Sequence, residues 1–196
     1  MVGKRTQFSW LLLVVGSFID AHQLKLKDLN PPLLFRGGSS GPELEANLLA
    51  GRWVLDPERS ESMTPFLVSV GAPRLIARMV GKKGKPITIQ LTDEFVSIEV
   101  EGKEEQRFVR DGSETEVMTP KGATQATLQV SEVDGTEADG DEICLPSFTV
   151  TKLGPAEGET TTETYKLLES GALQATFSHT HPKSGATTTV VRVYVR

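Results

Sequence analysis

Between residues 85 and 196, short runs rich in Val, Ile and Thr are separated by turn residues. Nine runs of strand length occur there, bounded mostly by Gly, Pro, Asp or Ser. They are predicted strands at 86–91, 94–101, 105–110, 114–119, 123–131, 147–153, 160–168, 172–180 and 187–196. A further short run at 51–55 brings the predicted total to ten strands.

Between the first two predicted strands, the apolar residues recur at intervals typical of a helix. Thr64 is placed to cap a helix that contains Phe66 and Leu67, and Gly71 is placed to end it. A second short helix is predicted over 73–80, beginning at a proline and ending before a glycine. Together they predict a compact helix-turn-helix.

The succession of short strands and tight turns predicts the fold class. Consecutive strands joined in this way favour an antiparallel up-and-down meander. An open sheet of ten strands would leave long exposed edges, so we expect it to close on itself. The prediction is a mainly β protein, a ten-stranded antiparallel up-and-down β-barrel with a helix-turn-helix lid. A barrel that wide has an interior larger than side chains alone fill, which predicts a ligand cavity.

The first 21 residues have the pattern of a secretory signal. Lys4 and Arg5 precede an apolar run over 8–19, and Ala21 is a suitable cleavage position. The run is too short to span a bilayer comfortably, which leaves an uncleaved anchor as the alternative. The pattern predicts the secretory route, ending outside the cell or in an organelle such as a plastid. If the segment is not a signal, a cytoplasmic location is predicted.

Residues 22–46 form a predicted flexible leader or linker. Pro31-Pro32 interrupts any regular element, and a Gly/Ser-rich stretch follows at 37–42. The predicted barrel domain therefore comprises residues 47–196.

Composition and motifs exclude several classes of function. The formal net charge of −5 argues against nucleic acid or an anionic membrane as the main partner. A single cysteine, Cys144, provides neither an internal disulfide nor a zinc site by itself. His179 and His181 share a strand face but lack a third ligand, so no metal site is predicted. Catalytic and dinucleotide-binding motifs are absent from the sequence, which predicts a non-enzyme without a cofactor; a barrel isomerase or hydratase is the alternative.

The segment 132–142 does not fit the strand pattern, because it carries six carboxylates and two glycines. We predict a solvated hairpin loop. A calcium-binding loop is the alternative, but the spacing and flanking helices of an EF-hand are absent from the sequence.

Arg192 and Tyr194 are the candidate binding residues, since side chains two apart on a strand share a face. A guanidinium can donate two N–H bonds to a carboxylate, and a phenol can add a third. The valines that alternate with them would place Arg192 in water on an ordinary half-buried strand. In a barrel that holds polar groups inside, the same pair would bind a carboxylate.

The order of these features resembles the intracellular lipid-binding proteins, the fatty-acid- and retinoid-binding group within the calycins. The similarity covers roughly residues 47–196. It rests on a Gly-x-Trp strand, two short helices, the start of the second strand and a terminal Arg-x-Tyr. These features lie at 51–55, 62–71, 76–80, 85–89 and 192–194.

The resemblance implies a monomeric, non-catalytic carrier that holds a fatty acid or similar hydrophobic ligand inside the barrel. Its carboxylate would bind Arg192, Tyr194 and a second interior cation on the eighth strand, for which Lys166 is the candidate. Phe66 and Arg78 on the lid helices are further candidate ligand-binding residues, and the lid is a candidate for transient membrane contact.

This sequence departs from that family in its signal-like start, its linker and its acidic insert. Two alternatives follow. One is a secreted, lipocalin-like carrier of another small hydrophobic ligand, although lipocalins have eight strands and lack the two helices. The other is an interaction or scaffold protein with a filled barrel.

Overall fold

The structure is a computed structural model that describes residues 47–119, 122–136 and 142–196. For Asn47, 132–136 and 142–144, only the backbone is described. The signal-like segment 1–21 and the leader 22–46 lie outside the described residues, so both predictions stay predictions.

Ten antiparallel strands in up-and-down order make up the sheet, as the sequence predicts. They are β1 (Gly51–Asp56), β2 (Ile87–Leu91), β3 (Phe95–Val100), β4 (Gln106–Val109), β5 (Thr115–Thr119), β6 (Gly122–Thr136), β7 (Glu142–Leu153), β8 (Thr160–Leu167), β9 (Leu173–Thr180) and β10 (Thr187–Val195). Two helices, α1 (Thr64–Ser69) and α2 (Arg74–Val80), lie between β1 and β2, and a 3-10 turn, Asn47–Leu49, precedes β1.

The sheet curls so that its two edge strands, β4 and β5, face each other. The order of the strands places β1 beside β10 in the middle of the sheet. Across the edges, Gln106 Nε2 donates to the Met118 carbonyl at 3.3 Å, and the Val109 amide donates to Thr115 Oγ1 at 3.4 Å. Side chains therefore contribute to this closing seam, whereas backbone ladders join the other neighbours.

We call residues 64–80, which contain α1 and α2, the lid. Thr64 is the first residue of α1, and no side-chain hydrogen bond caps this helix, so the capping role predicted for Thr64 is wrong. Its hydroxyl instead donates to the Ala77 carbonyl of α2 at 3.1 Å. The Met63 amide donates to the Gly81 carbonyl at 2.7 Å. These bonds hold the two helices against each other.

The β6–β7 hairpin extends further than predicted. Its backbone ladder runs from Ala126 opposite Lys152 to Thr136 opposite Glu142. The prediction of a loop over 132–142 is therefore wrong for 132–136 and for residue 142, while 137–141 lie outside the described residues. β8 pairs with β7 only from Ser147 onward. Nearer the tip of the hairpin, the described residues of β6 and β7 therefore pair only with each other.

Trp53 packs in the core at the end of the barrel away from the lid. It is fully buried, and its Nε1 donates to the Leu49 carbonyl at 2.9 Å. The Arg196 guanidinium lies over its ring, 4.6 Å from the centroid. The inward side chains of the strands form one core, which includes Ile87, Ile89, Val96, Ile98, Phe108, Val117, Leu128, Phe148, Val150, Tyr165, Leu173 and Tyr194.

Candidate functional site

Arg192 and Tyr194 lie on the interior face of β10. Arg192 is opposite Ala175 and Tyr194 is opposite Leu173, two buried members of the core. The two residues are only 2% and 6% exposed. Directly paired residues of an antiparallel sheet point to the same side, so both side chains belong to the barrel interior.

Val193, on the outer face of β10, is buried as well, which explains why alternation alone gives the wrong orientation. Between β1 and the lid, Ser60 Oγ donates to the Val193 carbonyl at 3.1 Å, and the Glu61 amide donates to the Val191 carbonyl at 2.9 Å. This segment therefore lies along β10. Because residues on both faces of β10 are buried, an apolar valine does not mark the interior face.

The Arg192 guanidinium connects β10 to the backbone that follows the lid. Nη1 donates to the Gly81 carbonyl at 3.2 Å, and Nη2 donates to the Lys83 carbonyl at 3.1 Å. Nε is buried without a hydrogen-bond partner, and no carboxylate of the described residues pairs with this guanidinium. A Cβ at Gly84 would lie 2.9 Å from Nη2, so the backbone approaches this closely only because the residue is glycine.

Lys166 does not join Arg192 in the interior. It sits on β8 between Tyr165 and Leu167, which are both buried in the core. Since neighbouring residues of a strand point to opposite faces, Lys166 belongs to the outer face. The expectation that Lys166 is the second interior cation is therefore wrong.

A second interior cation is Lys152, on β7. Its Nζ lies 2.6 Å from Glu163 Oε1 and donates to Gln106 Oε1 at 2.9 Å. The Tyr165 hydroxyl donates to Glu163 Oε2 at 3.2 Å. This set, which we call the interior ion-pair network, links β4, β7 and β8 across the barrel.

This network was not predicted from the sequence, although the alternation of residues along the strands indicates it. Lys152 follows Phe148 and Val150 at intervals of two, and Glu163 precedes Tyr165 at the same interval. Once the aromatic and aliphatic members are assigned to the interior, Lys152 and Glu163 must be interior too.

Burial and local charge shift the pKa values of the interior groups. Desolvation raises the pKa of the Tyr165 phenol well above its usual value, and the nearby Glu163 carboxylate adds to this shift. Desolvation also raises the pKa of Tyr194, but the Arg192 guanidinium opposes that change. The pKa of Arg192 is lowered by desolvation, with Tyr194 opposing. The two phenols therefore lie in environments of different charge.

Phe66 lies where the lid meets the barrel and starts a row of aromatic rings. Its ring packs edge-on against Phe177 with centroids 5.9 Å apart. Phe177 in turn contacts Tyr165 at 6.3 Å, and Tyr165 stacks on Phe148 at 4.9 Å. The row connects α1 with the interior of the barrel.

Arg78 is on the exposed face of α2. The apolar residues beside it are also exposed: Leu75 by 72% and Met79 by 58%. Arg74 lies one helical turn before Arg78 on the same helix. This face of α2, defined by Arg74, Leu75, Arg78 and Met79, is called the outer lid face below.

Metal sites and membrane spans were both candidates in the sequence. Within 47–119, 122–136 and 142–196, no group of three or more His, Cys, Asp or Glu side chains is arranged to hold a metal ion. His181 follows the end of β9 and is exposed, whereas His179 is buried. None of the described helices is long and apolar enough to cross a bilayer.

Among solved structures, the chain is similar to a fatty acid transporter described as REP1-NXSQ. The TM-score is 0.53 at 16% identity, over 76% of this chain and 95% of that chain. The chain has the fatty-acid-binding-protein-like fold. This fold, with ten strands and two helices after the first strand, confirms the expected architecture and excludes the eight-stranded alternative.

A zebrafish ileal bile-acid-binding protein complexed with cholic acid is also similar to the chain. It has a TM-score of 0.48 at 16% identity, over 76% of this chain and 98% of that chain. No protein-family model and no curated protein matches the sequence. The fatty-acid-binding-protein-like fold thus rests on structure and not on sequence identity.

Proposed function

We propose that the protein binds and carries, without catalysis, a fatty acid or similar hydrophobic carboxylate inside its barrel. The observation that carries this proposal is Arg192, a buried interior guanidinium with no carboxylate partner among the described residues. Tyr194 lies beside it on the same face and supplies a second donor.

The energetics of Arg192 favour an anionic ligand. Burial of a charge is costly unless an opposite charge or several hydrogen bonds compensate for it. Two backbone carbonyls compensate for Arg192 in part, while its Nε has no partner. A ligand carboxylate would supply the missing charge, and a charge-assisted hydrogen bond contributes ~1.5–3 kcal/mol. Most of the affinity would come from the hydrocarbon chain, at ~0.8 kcal/mol per buried methylene.

The aromatic row offers the hydrocarbon chain a path from the lid to the interior. Phe66, Phe177 and Tyr165 lie in sequence along this path, each in contact with the next. The fold of the similar fatty acid transporter supports this use of the interior.

We test this function by comparing hexadecanoic acid with its methyl ester, which has the same chain but no charge. Arg192→Met is expected to weaken binding of the acid about tenfold or more, and binding of the ester far less. Lys166→Met is the matched control, because it removes a cation from the outer face of β8 in the same sheet and should leave both affinities unchanged. Dissociation constants are measured by displacement of a fluorescent fatty acid. Equal losses for acid and ester would contradict a role for Arg192 in carboxylate binding.

A filled-barrel interaction protein is the second candidate, favoured by the interior ion-pair network. Lys152 and Gln106 meet across the barrel and occupy part of its interior. In that case neither ligand would displace the fluorescent fatty acid, and native mass spectrometry would detect only the bare chain.

The outer lid face supports a further part of the proposal, transient membrane contact during ligand transfer. Exposed Leu75 and Met79 can enter the headgroup region, while Arg74 and Arg78 attract anionic lipid. The double variant Leu75→Ser/Met79→Ser should slow transfer of a fluorescent fatty acid to phosphatidylserine-containing vesicles without changing its affinity. An unchanged transfer rate would contradict a role of the lid in membrane contact. The secretory route predicted from residues 1–21 stays a separate prediction.

A further inference from the structure

His179 occupies the interior face of β9 at the end nearest the lid. It shares that face with Phe177, Ala175 and Leu173, which precede it at intervals of two. Phe177 contacts Phe66 of α1, so His179 lies just past the point where the lid meets the wall. Its ring is 2% exposed.

A buried carboxylate faces His179 from the β7–β8 turn. His179 Nε2 lies 3.3 Å from Glu159 Oε1, and Glu159 is also buried. The turn is fixed by the Gly154 amide, which donates to the Glu159 carbonyl at 2.7 Å. We call His179 and Glu159 the lid-end polar pair.

The second ring nitrogen of His179, Nδ1, is buried and has no hydrogen-bond partner among the described residues. A buried polar atom without a partner destabilises a fold by an amount similar to a lost hydrogen bond. Because Glu159 fixes the ring through Nε2, Nδ1 is held as an oriented group for an additional partner.

The spacing of His179 and Arg192 along the sheet sets the scale of that partner. His179 is opposite Thr188 on β10, and Arg192 follows four positions later on the same face. At ~3.3 Å per residue, the two backbone positions are ~13 Å apart. An extended chain advances ~1.1–1.2 Å per bond, so a ligand chain parallel to β10 would span this backbone separation with about eleven bonds.

We infer that the lid-end polar pair is a second ligand-binding site, specific for a hydroxyl group on the chain of a hydrophobic acid. The carboxylate lies at Arg192 and the hydroxyl, about eleven bonds away, hydrogen-bonds His179 Nδ1. The ligand class is thus a mid-chain hydroxy fatty acid. This inference rests on the proposed function and specifies its ligand.

The test compares octadecanoic acid with its 3-hydroxy and 12-hydroxy derivatives. In the unsubstituted protein, the 12-hydroxy acid is expected to bind about fivefold to tenfold more tightly than the 3-hydroxy acid. His179→Phe should abolish this difference while leaving the affinity for octadecanoic acid within about twofold. An unchanged preference in His179→Phe, or no preference in the unsubstituted protein, would overturn the inference.

A second measurement needs no substitution. With ¹⁵N-labelled histidine, the Nδ1 resonance of His179 should shift on addition of the 12-hydroxy acid and stay in place with octadecanoic acid. The same shift with both acids would contradict a hydroxyl site. If octadecanoic acid binds but shows no hydroxyl effect, only this inference fails; if none of the three acids binds, the proposed function fails.

Discussion

Arg192 and Lys152 are both interior cations, but the protein treats them differently. Lys152 is 2.6 Å from Glu163, so its charge is neutralised by the protein itself. Arg192 donates to two backbone carbonyls and has no carboxylate partner within the described ranges. A carbonyl dipole stabilises a cation without cancelling its charge.

This difference separates a structural charge from one that is available to a ligand. Removing Lys152 would leave the largely buried Glu163 without its ion-pair partner, whereas removing Arg192 would strand no carboxylate of the described residues. We therefore expect Lys152 to matter mainly for stability and Arg192 mainly for binding. The predictions below start with the substitution of largest expected effect.

Lys152→Met should lower the free energy of unfolding by about 3–5 kcal/mol, because it leaves the largely buried Glu163 carboxylate without its ion-pair partner. Arg192→Met should cost less, about 1–2 kcal/mol, since the Gly81 carbonyl keeps its bond from the Met63 amide and the Lys83 carbonyl loses one donor. Urea denaturation followed by far-UV circular dichroism measures both values.

The double variant Lys152→Met/Glu163→Leu is the control for this contrast. Replacing both charges by apolar side chains removes the unpaired carboxylate, so most of the lost stability should return. If Arg192→Met destabilises as much as Lys152→Met, the two cations are equally structural and the distinction fails.

The two tyrosines report on the charges of the barrel interior. Tyr165 and Tyr194 are the only tyrosines of the chain. An unfolded phenol has a pKa of about 10, and both folded values are raised, that of Tyr165 further because of Glu163. Above pH ~10 the unfolded chain therefore releases protons that the folded chain retains. Stability should be unaffected by these groups below that pH and fall above it, by up to ~1.4 kcal/mol per pH unit for each tyrosine.

Tyrosinate absorbance against pH measures these two ionisations in the folded protein. Tyr194, beside Arg192, is expected to ionise before Tyr165, and Tyr165→Phe should remove the later step. A single step near pH 10 for both would mean that neither phenol is in the desolvated interior.

The smallest effect is expected for Lys166→Ala. Lys166 is half-buried on the outer face of β8, and a lysine there contributes little to stability. The free energy of unfolding should change by less than about 0.5 kcal/mol. A loss comparable to that of Lys152→Met would place Lys166 in the interior after all.

Much of the fold follows from the sequence, because strand runs and turn residues are local signals. The helix pair and the nine strands that follow it could be predicted without knowledge of distant contacts. The exception is the hairpin at 132–136 and 142–146. Its carboxylates and glycines have low strand propensity, but pairing between β6 and β7 continues through them. Pairing between β6 and β7 determines the conformation of this segment, and no local sequence pattern predicts it.

The candidate site was less predictable. The spacing of Arg192 and Tyr194 fixed that they share a face, but not which face, because Val193 on the other side is buried as well. Lys166 was chosen by position relative to a turn. Lys166 comes directly after Tyr165, so alternation along β8 places its side chain on the outer face. Alternation along a strand is therefore a better guide to orientation than distance from a turn.

The pairing of β1 with β10 has a consequence for how the barrel forms. Arg196 donates to the Leu48 carbonyl, 148 residues away along the chain, and its guanidinium covers Trp53. Contacts of such sequence separation place folding on the millisecond-to-second scale, since loop-closure entropy is lost before they form. Until the two strands meet, each keeps an unpaired edge open to other chains. The pairing of β1 with β10 therefore also closes these two edges to other chains.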